Sequence, residues 1–139
     1  MNSAVRDCFA DTAFWFGLVV KQDQNHECAR KWAAAVCGQI TTTIAVLLET
    51  ANLLARPAWR TSCVSLFDRF AETGVDIVPL TMDLWQRGWD LFRNRPDKGW
   101  SMTDCISILV MQERNLTDAL TSDTDFQQAG FRALLLEEP

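Results

Sequence analysis

Short extended-prone segments alternate along this chain with amphipathic stretches of helical period, and this alternation limits the fold more than any other feature. Brief strands are expected near residues 5–10, 39–41, 75–78, 119–122 and 132–135, where apolar or β-branched residues run for only a few positions. Arg6 and Asp7 interrupt the first of these. Helices fill the intervals. Residues 12–20 are apolar and end at KQDQN; in residues 26–37, Ala29, Trp32, Ala33, Val36 and Cys37 recur at three and four positions before Gly38. Another helix follows residue 41 and runs to about Ala55.

Pro57 can open the next helix, with Val64, Phe67, Phe70 and Ala71 as its buried stripe and Gly74 as its stop. Thr81 caps a helix carrying Met82, Leu84, Trp85, Trp89 and Phe92, and residues 93–99 make a turn-rich connection. In SMTD, Ser101 is placed at the cap and Asp104 at the third helical position of a capping box, followed by Ile106, Leu109 and Val110 and an end near Asn115. Strands alternating with helices favour an α/β fold whose parallel sheet is covered on both faces. Right-handed crossovers then bring successive strand exits to one edge, where short loops can assemble a site from distant positions. No repeat or linker divides the chain, so residues 1–139 are expected to form one domain.

A composition that is 48% hydrophobic and 22% charged excludes a disordered or low-complexity chain. The net charge of -5 repels a phosphate backbone unless an acidic site holds a cation that inverts the local sign. The apolar stretches fall short of the roughly 20 residues needed to cross a bilayer, and the first residues lack the basic and apolar regions of a secretory leader. Five cysteines without a CxxC pair suit reduced thiols, so a cytoplasmic protein with no membrane partner is expected. His26 is the only histidine, which leaves little room for a His-based zinc site or a Cys–His nucleophile. No glycine-rich phosphate or dinucleotide loop is present.

The informative polar residues are Asp11, Glu49, Asp104, Asp123 and Asp125, each at an element boundary or beside a strongly apolar segment. A hard divalent cation takes oxygen ligands and offsets the repulsion between gathered carboxylates. Each acid also has a local explanation: Asp11 as an N-cap, Glu49 as a solvent-facing helix residue, Asp104 in its capping box, and Asp123 with Asp125 in an Asx-type turn. Sequence spacing leaves both readings open.

Four segments occur in an order that resembles PIN-domain ribonucleases: ADTAFW around Asp11, LLETANLL around Glu49, DKGWSMTDCISILVM around Asp104, and ALTSDTDFQQAGFRALL around Asp123. The likeness spans nearly the whole chain and is to the toxin component of a bacterial type II toxin-antitoxin pair. It implies a PIN-like α/β/α sandwich with a central, mostly parallel sheet, and acids above the strand ends that bind Mg2+ or Mn2+ for RNA phosphodiester hydrolysis. It places catalytic and metal-binding roles on Asp11, Glu49, Asp104 and Asp123. Asp125 joins the metal set as a ligand through water, a substitute or a turn residue. It also implies RNA as substrate, a cognate antitoxin as partner, and a homodimer as a further assembly to test.

Outside the acids, Arg87, Arg93, Arg95 and Lys98 form the densest basic patch, with Trp89 and Trp100 as stacking candidates, although Asp90 and Asp97 dilute it. Thr12 is read as a cap or as a partner for phosphate or metal-held water, and Thr50 and Asn52 as helix surface or RNA contacts. Trp15, Phe16, Trp59 and Phe67 stand between core packing and an interface with a second copy or an antitoxin segment. The leading expectation is a metal-dependent endoribonuclease restrained by an antitoxin. The rivals are a catalytically weak RNA-binding or regulatory domain and a structural interaction protein whose acids cap helices.

Overall fold

Phe9 and its neighbours explain the centre of the sheet: a three-residue strand buried at every position has apolar side chains for both faces. The computed structural model describes residues 6–139, in which β1 is Cys8–Ala10, α1 Thr12–Val19, α2 His26–Ala35, β2 Ile40–Thr43 and α3 Ile44–Leu53. There follow α4 Pro57–Asp68, α5 Phe70–Thr73, β3 Asp76–Val78, α6 Met82–Asn94, α7 Met102–Glu113, β4 Asp118–Leu120, α8 Thr124–Gln128 and β5 Arg132–Ala133, then a 3-10 turn at Leu134–Leu136. The five strands lie in the order β3-β2-β1-β4-β5, and every pair is parallel. Helices flank this sheet, as an α/β/α sandwich requires.

The strand order fixes where a site can form. From β1 the chain moves outward through β2 to β3, then returns to place β4 on the other side of β1. The gap between β1 and β4 is therefore the point at which the winding reverses, where helices diverge and leave a crevice at the strand exits. Phe9 is in register with Ala119 and Ala10 with Leu120, and the Asp11 amide donates to the Leu120 carbonyl at 3.2 Å. This pairing carries Asp11 and Thr121 out of the sheet side by side.

Several element boundaries differ from the expectation. The first strand begins at Cys8; Val5 lies outside the described residues, and Asp7 instead accepts the Gln39 amide through Oδ1 at 2.8 Å. Gly38 permits this approach, because a Cβ there would lie 2.3 Å from the Arg6 carbonyl carbon. The second strand extends through Thr43, past the expected end at Thr41. Its buried hydroxyls find partners: Thr42 Oγ1 donates to the Ala10 carbonyl at 2.9 Å and Thr43 Oγ1 accepts the Val46 amide at 3.1 Å. The fourth strand stops at Leu120, and the fifth gives way to the 3-10 turn after Ala133.

The stripe on α4 and α5 is also shifted. Cys63 and Phe70 are buried and Phe67 half-buried, while Val64 and Ala71 face water. The core expectation holds for Trp15 and Trp32, each buried and donating its indole N–H, to Thr42 Oγ1 at 3.3 Å and to the Glu137 carbonyl at 2.9 Å. Phe16 and Trp59 meet edge to face at 5.9 Å in a smaller apolar cluster with Val20, Leu54 and Cys63. His26 has a local role, its Nδ1 lying 2.7 Å from the Gly17 carbonyl. Among the described residues, no helix is long and apolar enough to cross a membrane.

Candidate active site

Asp11 leaves β1 into the crevice and is only 6% exposed, yet its side chain makes no cap bond to α1. Asp11 stands at the N-cap position, but capping does not account for its carboxylate. Its Oδ2 instead accepts a 2.9 Å hydrogen bond from Thr121 Oγ1, and the same hydroxyl accepts the Asp123 amide at 3.1 Å. Burial is the largest influence on the Asp11 carboxyl and pushes its pKa up to about 7, with repulsion from Asp104 and Glu49 adding to the rise. Thr121 and the Thr12 backbone work the other way by hydrogen-bonding the ionised form.

Asp104 arrives from α7, whose N-terminus points to the same edge. The expected capping box is present: Ser101 Oγ accepts the Asp104 amide at 3.0 Å, and Asp104 Oδ2 accepts the Ser101 amide at 3.1 Å. Burial, opposed by Ser101 and reinforced by Asp123 and Asp125, raises the Asp104 pKa to about 6. Asp123 and Asp125 form more than the expected turn. Asp123 caps α8 and Asp125 sits in its first turn, with Asp123 Oδ1 accepting the Asp125 amide at 2.9 Å.

Asp11, Asp104 and Asp123 thus share one feature: a protein donor holds a carboxylate oxygen of each. Asp11, Glu49, Asp104 and Asp123 all line one cleft of about 630 Å³. A second grouping overlaps it, because single carboxylate oxygens of Asp104, Asp123 and Asp125 lie within 4.8 Å of one another. Asp104 and Asp123 join the two sets. Glu49 approaches from α3, half-buried and without a hydrogen bond among the described residues.

These residues fit a divalent cation. Hard oxygen ligands converge, the raised carboxyl pKa values reflect crowding and dehydration that an ion would offset, and Thr12 Oγ1 is buried on the cleft wall without a partner among the described residues. The cleft also contains Asp23, Asn25 and Ser122, which the sequence reading passed over. Asp23 Oδ2 accepts the Asn25 amide, and Asn25 Nδ2 donates 3.0 Å to Ser122 Oγ, tying the start of α2 to the loop that carries Asp123. KQDQN reads locally as a helix stop, so its only sequence signal was a carboxylate and an amide within a polar run.

The proposed basic patch is corrected. Arg87 pairs with Asp83 and Glu113, Arg93 with Asp90, and Arg95 with Asp97, so each guanidinium already faces carboxylates. Trp100 is buried beneath the Arg95 guanidinium, 5.6 Å from its ring centroid, and offers no open face for a base. Trp89, by contrast, is 41% exposed and stacks between Trp85 and Phe92.

Residues 8–132 match the PIN domain family. The chain is 30% identical over 123 residues to the 23S rRNA-specific endonuclease VapC20 in two strains of Mycobacterium tuberculosis, covering 88% of this chain and 94% of the relative. It is also similar to the crystal structure of Mycobacterium tuberculosis VapC20, described as a sarcin-ricin loop cleaving toxin. That likeness has a TM-score of 0.82 at 29% identity and covers 89% of this chain and 95% of the other. With the parallel sheet, the acid-lined crevice at its winding reversal and a family match across nearly all the described residues, this chain belongs to the PIN-domain family.

Proposed function

We propose that the chain acts, as one nuclease domain over residues 1–139, as a divalent-metal-dependent endoribonuclease of toxin type. The observation that carries this reading is the meeting of Asp11, Glu49, Asp104 and Asp123, from four different elements, in a single cleft. A Mg2+ or Mn2+ ion bound there would lower the pKa of attacking water and offset charge accumulating on a phosphate. Asp11, Asp104 and Asp123 would hold the ion, with Asp125 adding a carboxylate beside the last two. Glu49 would orient water or contribute a further ligand. Thr12 Oγ1 donates to a phosphate oxygen or to a water in the cleft.

The similarity to VapC20 supports ribosomal RNA, and within it a sarcin-ricin loop, as the substrate class. In this reading a cognate antitoxin is the restraining partner and the cytoplasm the place of action. The capping alternative accounts for only part of the arrangement, because each capping bond at Asp104 and Asp123 occupies one carboxylate oxygen.

Incubating the purified chain with an RNA fragment bearing the sarcin-ricin loop, with Mn2+, with Mg2+ and with chelator, tests the reading. Site-specific cleavage that chelator abolishes is expected. Intact RNA at every metal concentration would favour a binding or regulatory role instead.

A further inference from the structure

A recess of about 270 Å³ lies where the turn after α6 meets α7 and α8, and no carboxylate lines it. Two cations do, Arg95 and Lys98, in a chain whose net charge is -5. They are not equivalent. Arg95 is committed to Asp97 by two hydrogen bonds of 3.1 Å and lies over the Trp100 ring. Lys98 is half-buried, has Asp97 as a neighbouring charge and makes no salt bridge among the described residues. Of the two, its ammonium is the one left to meet a ligand.

Trp100 adds a donor to the same wall. It is 8% exposed, and its indole Nε1–H is buried without a partner among the described residues. A buried donor left unpaired is unfavourable, and an acceptor seated in the recess removes that penalty. Gln112 and Gln128 complete the polar lining with side-chain amides that make no hydrogen bond among the described residues, and Leu91 and Ile108 supply apolar surface.

We propose, on the basis of the ribonuclease reading above, that this recess holds a backbone phosphate of the RNA strand, beyond the phosphate that lies over the acids. A phosphate oxygen accepts from the Lys98 ammonium and from the Trp100 N–H, and the ribose beside it has a hydroxyl for the glutamine amides. A base is not the occupant, because Arg95 covers the Trp100 ring where a base would stack. A metal ion has no carboxylate to meet there.

Position along the chain favours the same occupant. Trp100 directly precedes Ser101, which lines the acid cleft and caps the helix carrying Asp104. Gln128 ends α8, which Asp123 caps, and five helical residues span only about 7.5 Å. The recess and the cleft therefore share the two elements that present Asp104 and Asp123, and a strand leaving the cleft reaches Lys98 within a few nucleotides. A charge contact at that point holds the strand without reading its sequence.

The test uses the full chain and an RNA fragment bearing the sarcin-ricin loop, with cleavage measured in Mn2+ and binding in chelator, for wild type, Lys98→Gln, Lys98→Arg and Trp100→Phe. Lys98→Gln is expected to raise KM and the dissociation constant about fivefold, with a much smaller effect on kcat, and to reduce the salt slope of log affinity by about 0.7. Lys98→Arg should restore both. Trp100→Phe removes a neutral donor, so KM should rise about threefold with the salt slope intact. A single uncharged methylphosphonate linkage, walked along the fragment, should reproduce the Lys98→Gln loss at one position in wild type and add nothing there in the variant. Unchanged binding and salt slope in Lys98→Gln overturn the assignment and leave the ribonuclease reading standing. Lost antitoxin binding in Lys98→Gln with unchanged RNA binding gives the recess to an acidic peptide and also overturns it. Wild type that neither binds nor cuts the fragment overturns both readings.

Discussion

Thr121 donates a 2.9 Å hydrogen bond to Oδ2 of Asp11, although the two residues are 110 positions apart. Its oxygen simultaneously accepts the Asp123 amide, so one fully buried hydroxyl sets the spacing of two acids across the gap between β1 and β4. Asp11 lines the cleft together with Asp104 and Asp123. Carboxylates that bind metal are commonly oriented by such supporting groups.

Thr121→Val keeps the shape of the side chain but removes both bonds. It is expected to weaken Mn2+ binding by about tenfold or more and to destabilise the fold by about 1–3 kcal/mol, because a buried carboxylate and an amide lose partners. Thr121→Ser should recover most of both losses. Calorimetric titration with Mn2+ and urea unfolding of the two variants check this, and equal metal affinity in Thr121→Val contradicts a positioning role.

The raised carboxyls also give a pH signature. Asp11 titrates at about 7 and Asp104 at about 6 in the folded chain, against an ordinary value of 3.8. Both bind protons more tightly folded than unfolded, so their contribution to stability is complete below the ordinary value and is lost as pH rises through 6 and 7. Metal-free protein should accordingly gain stability from these groups as pH falls from about 7 to about 4, and Asp11→Asn should flatten the upper part of that window. Mn2+ favours the ionised forms and should stabilise most above pH 7. Thermal melts with and without Mn2+ across the window provide the comparison.

Asp125 belongs to the grouping with Asp104 and Asp123 but does not line the main cleft. Asp125→Asn should therefore lower Mn2+ affinity only a few-fold, whereas Asp104→Asn, which touches both groupings, should lower it by tenfold or more. Parallel titrations of the two variants check the order, and a larger effect at Asp125 would shift the centre of the site towards α8.

The arginines of α6 and the following turn offer little free charge. The double variant Arg93→Gln and Arg95→Gln is expected to change KM for RNA by less than about twofold, because exposed guanidiniums already paired with Asp90 and Asp97 add little to a phosphate field. Salt-dependent binding measurements on wild type and the double variant test it.

The parallel sheet and the acids at its edge were legible because their causes are local. Ser101 and Asp104 stand at capping-box spacing, and Asp11 falls where an apolar strand meets a helix. Thr121 was not legible, because its two bonds join strand exits brought together only by the order β1-β4. The short helix α8 was read as a turn because an Asx bond from Asp123 to Asp125 belongs to both, and five residues give too little periodicity to separate them. The pairing of Arg87 with Asp83 and of Arg93 with Asp90 follows helical spacing; the basic-patch reading weighed the nearby acids as a diluted field rather than as direct partners. Trp89 keeps an exposed ring because Trp85, Trp89 and Phe92 stack along an open face of α6, while Leu84 and Gly88 supply its buried side.

The central claim is that Asp11, Glu49, Asp104 and Asp123 share a divalent cation that RNA cleavage requires. Mn2+ titration followed calorimetrically, with ribosomal RNA cleavage measured on the same samples, tests it most directly when wild type is set beside folded Asp104→Asn. The account predicts that cleavage rises with metal occupancy in wild type, and that both fall together by tenfold or more in the variant. Cleavage that proceeds in chelator, or a variant that binds Mn2+ and cuts RNA as wild type does, would contradict it.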